Sequence, residues 1–178
     1  MKNIFLYLTI LIAASACTTP QRLVPFTSSV QRDTGLSNEQ LKKVQFYTSS
    51  RIVLYRQIGK STTEVISGEI KIIDGKEVEQ IVIKENTPGI VVSNTTGNRL
   101  AISFEAGQDR AIIFGSVKQR RGAYTILARD WEGNAAIIDY DGKEYRLAPQ
   151  SSNAILLVNL KKLNARKVKY RTAAGRTL

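Results

Sequence analysis

The residues whose types and spacing could do chemistry are few. Residues 58–62, IGKST, carry the ending of a phosphate-binding loop. That loop needs a second glycine five positions before Gly59, where backbone amides approach phosphate, and Leu54 stands there instead. A turn between strands is the better assignment. Residues 139–142, DYDG, open like a calcium loop, but the later oxygen ligands and the closing glutamate are missing at their spacings. Glu69, Glu77, Glu105, Asp130 and Glu144 would supply paired carboxylates for glycoside cleavage, which needs two acids at a suitable separation. On strands whose alternate residues face solvent, however, such acids are ordinarily solvated. The chain has no histidine, which excludes Ser-His-Asp and Cys-His catalysis and removes the commonest ligand of transition metals. Cys17 is the only cysteine, so neither a zinc cluster nor an intramolecular disulfide can form. No catalytic residue, metal or cofactor is expected, and the chain reads as a binding protein rather than an enzyme.

Charge is the stronger signal. The 178 residues include 26 Lys and Arg against 15 Asp and Glu, a net charge of +11. That balance suits nucleic acid, anionic lipid, glycan or an acidic protein. After Leu160 come Lys161, Lys162, Arg166, Lys167, Lys169, Arg171 and Arg176, with no acid among them. Leu163, Val168 and Tyr170 would let this segment dock as a last strand with its lysines toward solvent. Charged edges do protect sheets from aggregation, but this many uncompensated cations exceed that need. Together with Lys118, Arg120 and Arg121 of SVKQRRG they are expected to form one basic surface, worth about 1 kcal/mol per cation near an anionic leaflet. Trp131, in RDWEGN, belongs at the tip or shoulder of a hairpin. Exposed there it would be a recognition anchor, and folded back it would be a lid over the sheet.

The start of the chain fixes where these groups work. Met1-Lys2 is a short positive opening, residues 4–13 form an almost unbroken apolar run, and Ala14-Ser15-Ala16 closes it with small residues. That is the order of a secretory signal peptide, spanning residues 1–16. The apolar run falls well short of the roughly 20 residues a membrane-crossing helix needs. Ala14-Ser15-Ala16 satisfies the A-x-A rule of an ordinary signal peptidase, which would release a chain beginning with a free Cys17. Residues 1–17 also resemble a bacterial lipoprotein signal, in which a short small-residue motif directly precedes the cysteine that is acylated. Ala14 stands where leucine is usual in that pattern. The resemblance implies a diacylglyceryl group on Cys17, often with a third chain, and hence a permanent anchor. Thr18 and Thr19 follow, with no aspartate resembling the inner-membrane retention signal. The expected address is the outer membrane of a Gram-negative cell, on its periplasmic face, which leaves no role for nucleic acid.

From residue 18 to about Gly35 the chain is polar, holds Pro20 and Pro25 and lacks sustained periodicity, as a tether over residues 17–35 would. A single domain is expected over residues 36–178. In LSNEQLKKVQFY, Ser37 and Gln40 have capping-box spacing, Leu36 and Leu41 that of a hydrophobic staple, and Leu41 and Val44 share a face. These predict a helix of two or three turns over residues 38–46. Ten short stretches rich in Ile, Val and Tyr follow, at 51–58, 63–73, 77–84, 89–94, 99–105, 110–115, 123–129, 135–140, 143–148 and 154–160. Asp74-Gly75 and Asp141-Gly142 sit between such runs as hairpin turns. The expected fold is mainly β, a small barrel or sandwich with one short N-terminal helix. Residues 72–83, IIDGKEVEQIVI, are similar to residues 137–148, IIDYDGKEYRLA, and a duplication would make the domain two tandem SH3-like barrels.

These readings converge on a non-enzymatic outer-membrane lipoprotein that serves as an accessory or scaffold subunit of a cell-envelope assembly, secretion or transport complex. Its basic surface would face an acidic protein or lipid headgroups. The alternative is direct binding of an anionic envelope polymer, peptidoglycan or lipopolysaccharide.

Overall fold

The computed structural model describes residues 22–59, 68–73, 75–95, 98–107 and 109–165. Cys17, Arg166, Lys167, Lys169 and Arg171 lie outside the described residues. In chain order the strands are β1 (Leu23–Pro25), β2 (Gln45–Thr48), β3 (Ile52–Gln57), β4 (Glu69–Ile73), β5 (Lys76–Ile83), β6 (Pro88–Thr95), β7 (Arg99–Ser103), β8 (Ala111–Val117), β9 (Ala123–Ile126), β10 (Asp130–Glu132), β11 (Ala135–Tyr140), β12 (Lys143–Leu147) and β13 (Leu156–Asn159). Among the described residues three short α-helices, α1 (Ser28–Thr34), α2 (Asn38–Leu41) and α3 (Leu160–Asn164), accompany them, with 3-10 turns at Lys118–Arg120 and Pro149–Asn153.

The strands form two antiparallel sheets in a sandwich-like arrangement. One has seven strands in the order β1-β13-β2-β6-β7-β8-β9 and the other six in the order β10-β11-β12-β3-β5-β4. The fold is not a closed barrel, although the larger sheet curls until Thr27 bridges Ala123 and Thr125 bridges Ile155. Each sheet mixes early and late strands, since β12 pairs with β3 and β13 with β2. The two similar segments, residues 72–83 and 137–148, therefore contribute to hairpins on either side of β3 in one sheet, and the strand order does not divide into two successive units. The core between the sheets is built from Phe26, Phe46, Ile102, Phe114 and Tyr124 on one side and Ile52, Leu54, Tyr140, Tyr145 and Leu147 on the other.

All ten expected strands form at least in part, and three shorter ones join them. The predicted helix over residues 38–46 is corrected to one turn. Its capping box is present, with Ser37 accepting from the Gln40 amide and the Gln40 side chain accepting from the Ser37 amide, but it stops at Leu41. Phe46 is claimed by β2, where it is fully buried with its ring edge-on to Phe26 at 5.1 Å. That packing outweighs the weak preference of a short helix to continue.

The tether is corrected too. Its second half is built into the fold: Leu23–Pro25 pairs with β13, and Ser28–Thr34 is helical, capped by Thr27 at its start and by left-handed Gly35 at its end. Polar composition hid the one residue that decides this, Phe26, whose complete burial contributes about 1.5–3 kcal/mol. At Leu163 the structure departs from the expected last strand, whose Val168 and Tyr170 lie outside the described residues. Leu163 is buried within α3, a helical turn capped by the Asn159 side chain, rather than in a last strand.

Candidate functional site

Alternation along β3, β5, β11 and β12 sends one set of side chains into the core and the other to the opposite face of the six-stranded sheet. On that opposite face the pairing register lines up Asp130, Ile137, Arg146, Tyr55, Gln80 and Glu69 across all six strands. A concave region of about 730 Å³ opens over the middle of this row, closed at one end by Pro149 and Gln150. Val53, Val78 and Ile137 are buried in its floor yet stand outside the main core cluster. Above them stand an aromatic ring, Tyr55, the amides of Gln57 and Gln80, and charged groups of both signs. Arg146 pairs with Glu132 at 2.5 Å, and Lys71 donates to the Gln80 side chain at 2.6 Å. Flat apolar floor, one aromatic face and amide donors suit an extended polar ligand held by stacking and hydrogen bonds.

The five acids considered for catalysis do not converge here. Only Glu144 lines the groove, and it is engaged by Arg129, which also holds Asp139 at 3.0 Å. Glu105 accepts the Tyr140 hydroxyl at 2.6 Å and lies 3.8 Å from Arg110, whose Nε donates to Asp141 at 3.0 Å. Asp130 accepts the Trp131 amide, Glu69 lies 3.7 Å from Lys71, and Glu77 is exposed on β5. Among the described residues no group of three or more Cys, Asp or Glu could hold a metal ion. Residues 139–142 form the expected hairpin, with Asp141 and Gly142 both at positive φ, 54° and 69°.

Behind the groove, on the core face, sits an ion pair that alternation alone would have located. Glu79 is in phase with Ile81 and Ile83, and Arg56 with Ile52 and Leu54. Glu79 is fully buried, accepting from Arg56 Nε at 2.6 Å and from the Gly68 amide at 3.0 Å. A side chain at Gly68 would collide with the Gln80 carbonyl, so glycine permits this approach. The Arg56 guanidinium lies 5.8 Å from the centre of the Tyr145 ring.

Burial pushes the hydroxyls of Tyr124, Tyr140 and Tyr145 upward, and that of Tyr145, with the Glu79 charge adding to the effect, reaches about 12. A raised pKa means that the fold favours the neutral phenol. This contribution is complete below the unfolded tyrosine value of about 10 and is lost as pH rises through 12. Urea midpoints measured from pH 8 upward should therefore hold steady and then fall between about pH 10 and 12. Tyr145→Phe should flatten part of that fall, and an unchanged slope would place the titration elsewhere.

Of the cations expected to share one surface, those among the described residues fall into two groups. Lys118, Arg120 and Arg121 are exposed around the short 3-10 helix Lys118–Arg120, and Arg120 donates to Asn153 at 2.8 Å, just before β13 begins. Lys161 and Lys162 are exposed on α3, just after β13 ends. The two groups thus bracket that strand. Trp131 is 63% exposed on β10, so it is not a lid. No family model matches the chain, and no curated protein or solved structure matches it. Among the described residues no helix is long and apolar enough to cross a membrane.

Proposed function

We propose that this is a non-enzymatic lipoprotein held by acylated Cys17 on the periplasmic face of the outer membrane, acting as an accessory subunit of an envelope assembly, secretion or transport complex. The observation that carries the reading is the pairing of Leu23 with Asn159. Cys17 and Leu23 are six residues apart in sequence, a reach of at most about 20 Å. Asn159 caps the helix that presents Lys161 and Lys162, so an anchor at Cys17 would hold these cations near lipid headgroups. Lys118, Arg120 and Arg121, at the other end of β13, would then be free to meet an acidic protein partner.

Co-purification of the tagged native protein from gently solubilised envelopes, at low and at high salt, tests this. A stoichiometric membrane protein is expected at low salt and should be lost at high salt. Reversing Lys118, Arg120 and Arg121 to glutamate should abolish its capture while leaving the circular dichroism unchanged. Capture that survives this reversal would exclude the 3-10 helix as the docking surface.

The groove favours a second reading. Tyr55 over an apolar floor, with Gln57, Gln80 and Arg146 beside it, would suit direct contact with an anionic envelope glycan. This reading requires the purified protein to bind isolated sacculi or lipopolysaccharide, and to lose that binding with Tyr55→Ala.

A further inference from the structure

Among the described residues the six-stranded sheet has two edges, β10 and β4, and they are protected very differently. β10 is only three residues long, and the Asp130 carboxylate takes the Trp131 amide at 2.8 Å. A short edge with an occupied donor is a poor template for another strand. β4 has five residues, Glu-Ile-Lys-Ile-Ile, without proline, and Glu69 to Ile72 are all exposed. Ile70 is 52% and Ile72 76% exposed on one side of the strand, while Glu69 and Lys71 occupy the other. A β-branched edge of this kind is what sheets avoid leaving open to water.

The charges also choose a register. In antiparallel pairing of two identical strands, opposed residues share a face, so the two-fold axis must pass through a residue position. An axis at Lys71 sets lysine against lysine, which is unfavourable. At Ile72 it leaves Glu69 and Lys71 without opposite charges. At Ile70 it sets Glu69 of each copy against Lys71 of the other and packs isoleucine on isoleucine. We propose that the protein pairs with a second copy of itself along β4, antiparallel and centred on Ile70, so that the two six-stranded sheets run on as one.

A charge swap tests the register independently of the anchor and of any envelope partner. Sedimentation velocity on the full-length chain in mild detergent should show a dimer. Lys71→Glu alone and Glu69→Lys alone should each weaken it on the order of tenfold or more, because both cross-strand pairs become like-charged. Mixing these two variants should restore a heterodimer, and the double variant Glu69→Lys/Lys71→Glu should dimerise like the wild type. Ile70→Cys should give a covalent dimer on oxidation, readable even if a charge variant proves unstable, whereas Ile72→Cys should not. A wild-type monomer at every concentration would overturn the proposal, as would a dimer indifferent to all these changes. So would a monomer that loses a membrane protein partner on Ile70→Lys, since the edge would then belong to that partner.

Discussion

Glu79→Ala should cost about 3–5 kcal/mol of folding stability, close to the entire stability of a marginal domain. The carboxylate is fully buried and answers both Arg56 Nε, at 2.6 Å, and the Gly68 amide, at 3.0 Å. Its removal takes away the carboxylate that meets Nε of Arg56, a cation whose side chain is only 14% exposed and lies beside the Tyr145 ring. The Gly68 amide loses its acceptor at the same moment, which loosens the entry into β4. Urea unfolding reads the cost directly, as a lower midpoint. Replacing both members with apolar residues, as in Arg56→Met/Glu79→Leu, should cost far less than the sum of the single truncations, because no buried charge is then stranded. A loss below about 1 kcal/mol for Glu79→Ala would mean that water solvates the site and that the pair is ornamental.

That pair shows what was legible in the sequence and what was not. The strands with five or more residues announce themselves through composition and turns, and Asp141-Gly142 adopts the backbone its residue types demand. β1 and β2 are three and four residues long, and β1 exists only because β13 lies beside it. Pairing between residues as distant as Leu23 and Asn159 leaves no local mark. The same non-locality hid the groove: Tyr55, Gln80, Ile137 and Arg146 meet only when β3 receives a hairpin on each side. Glu79 and Arg56 were readable in principle, since each keeps step with inward-facing isoleucine or leucine on its own strand. An acid and a base in phase with the core on strands that pair is a signal that composition alone discards. Among the described residues the cations stand at the two ends of β13, about 13 Å of strand apart, a placement that their shared charge does not encode.

The largest effect is expected at Cys17. Cys17→Ala should transfer the protein from the membrane pellet to the soluble fraction, because each buried methylene contributes about 0.8 kcal/mol and the two or three acyl chains proposed on Cys17 would anchor it stably. The remaining attraction would come from Lys161 and Lys162 on α3, at about 1 kcal/mol each near an anionic surface. The two contributions separate by salt. The wild type should stay in the membrane at any ionic strength, whereas the variant should retain a weak bound fraction at low salt that disappears once the Debye length shrinks. Adding Lys161→Glu and Lys162→Glu to Cys17→Ala should remove that fraction at low salt too. Mass spectrometry of the mature N-terminal peptide supplies the independent reading, an acyl mass on Cys17 in the wild type. A variant that stayed bound at high salt would defeat the anchor and give the task of holding the membrane to a protein partner. An unmodified Cys17 in a soluble wild type would instead favour simple secretion, and the juxtaposition of β1 with α3 would lose its significance for orientation.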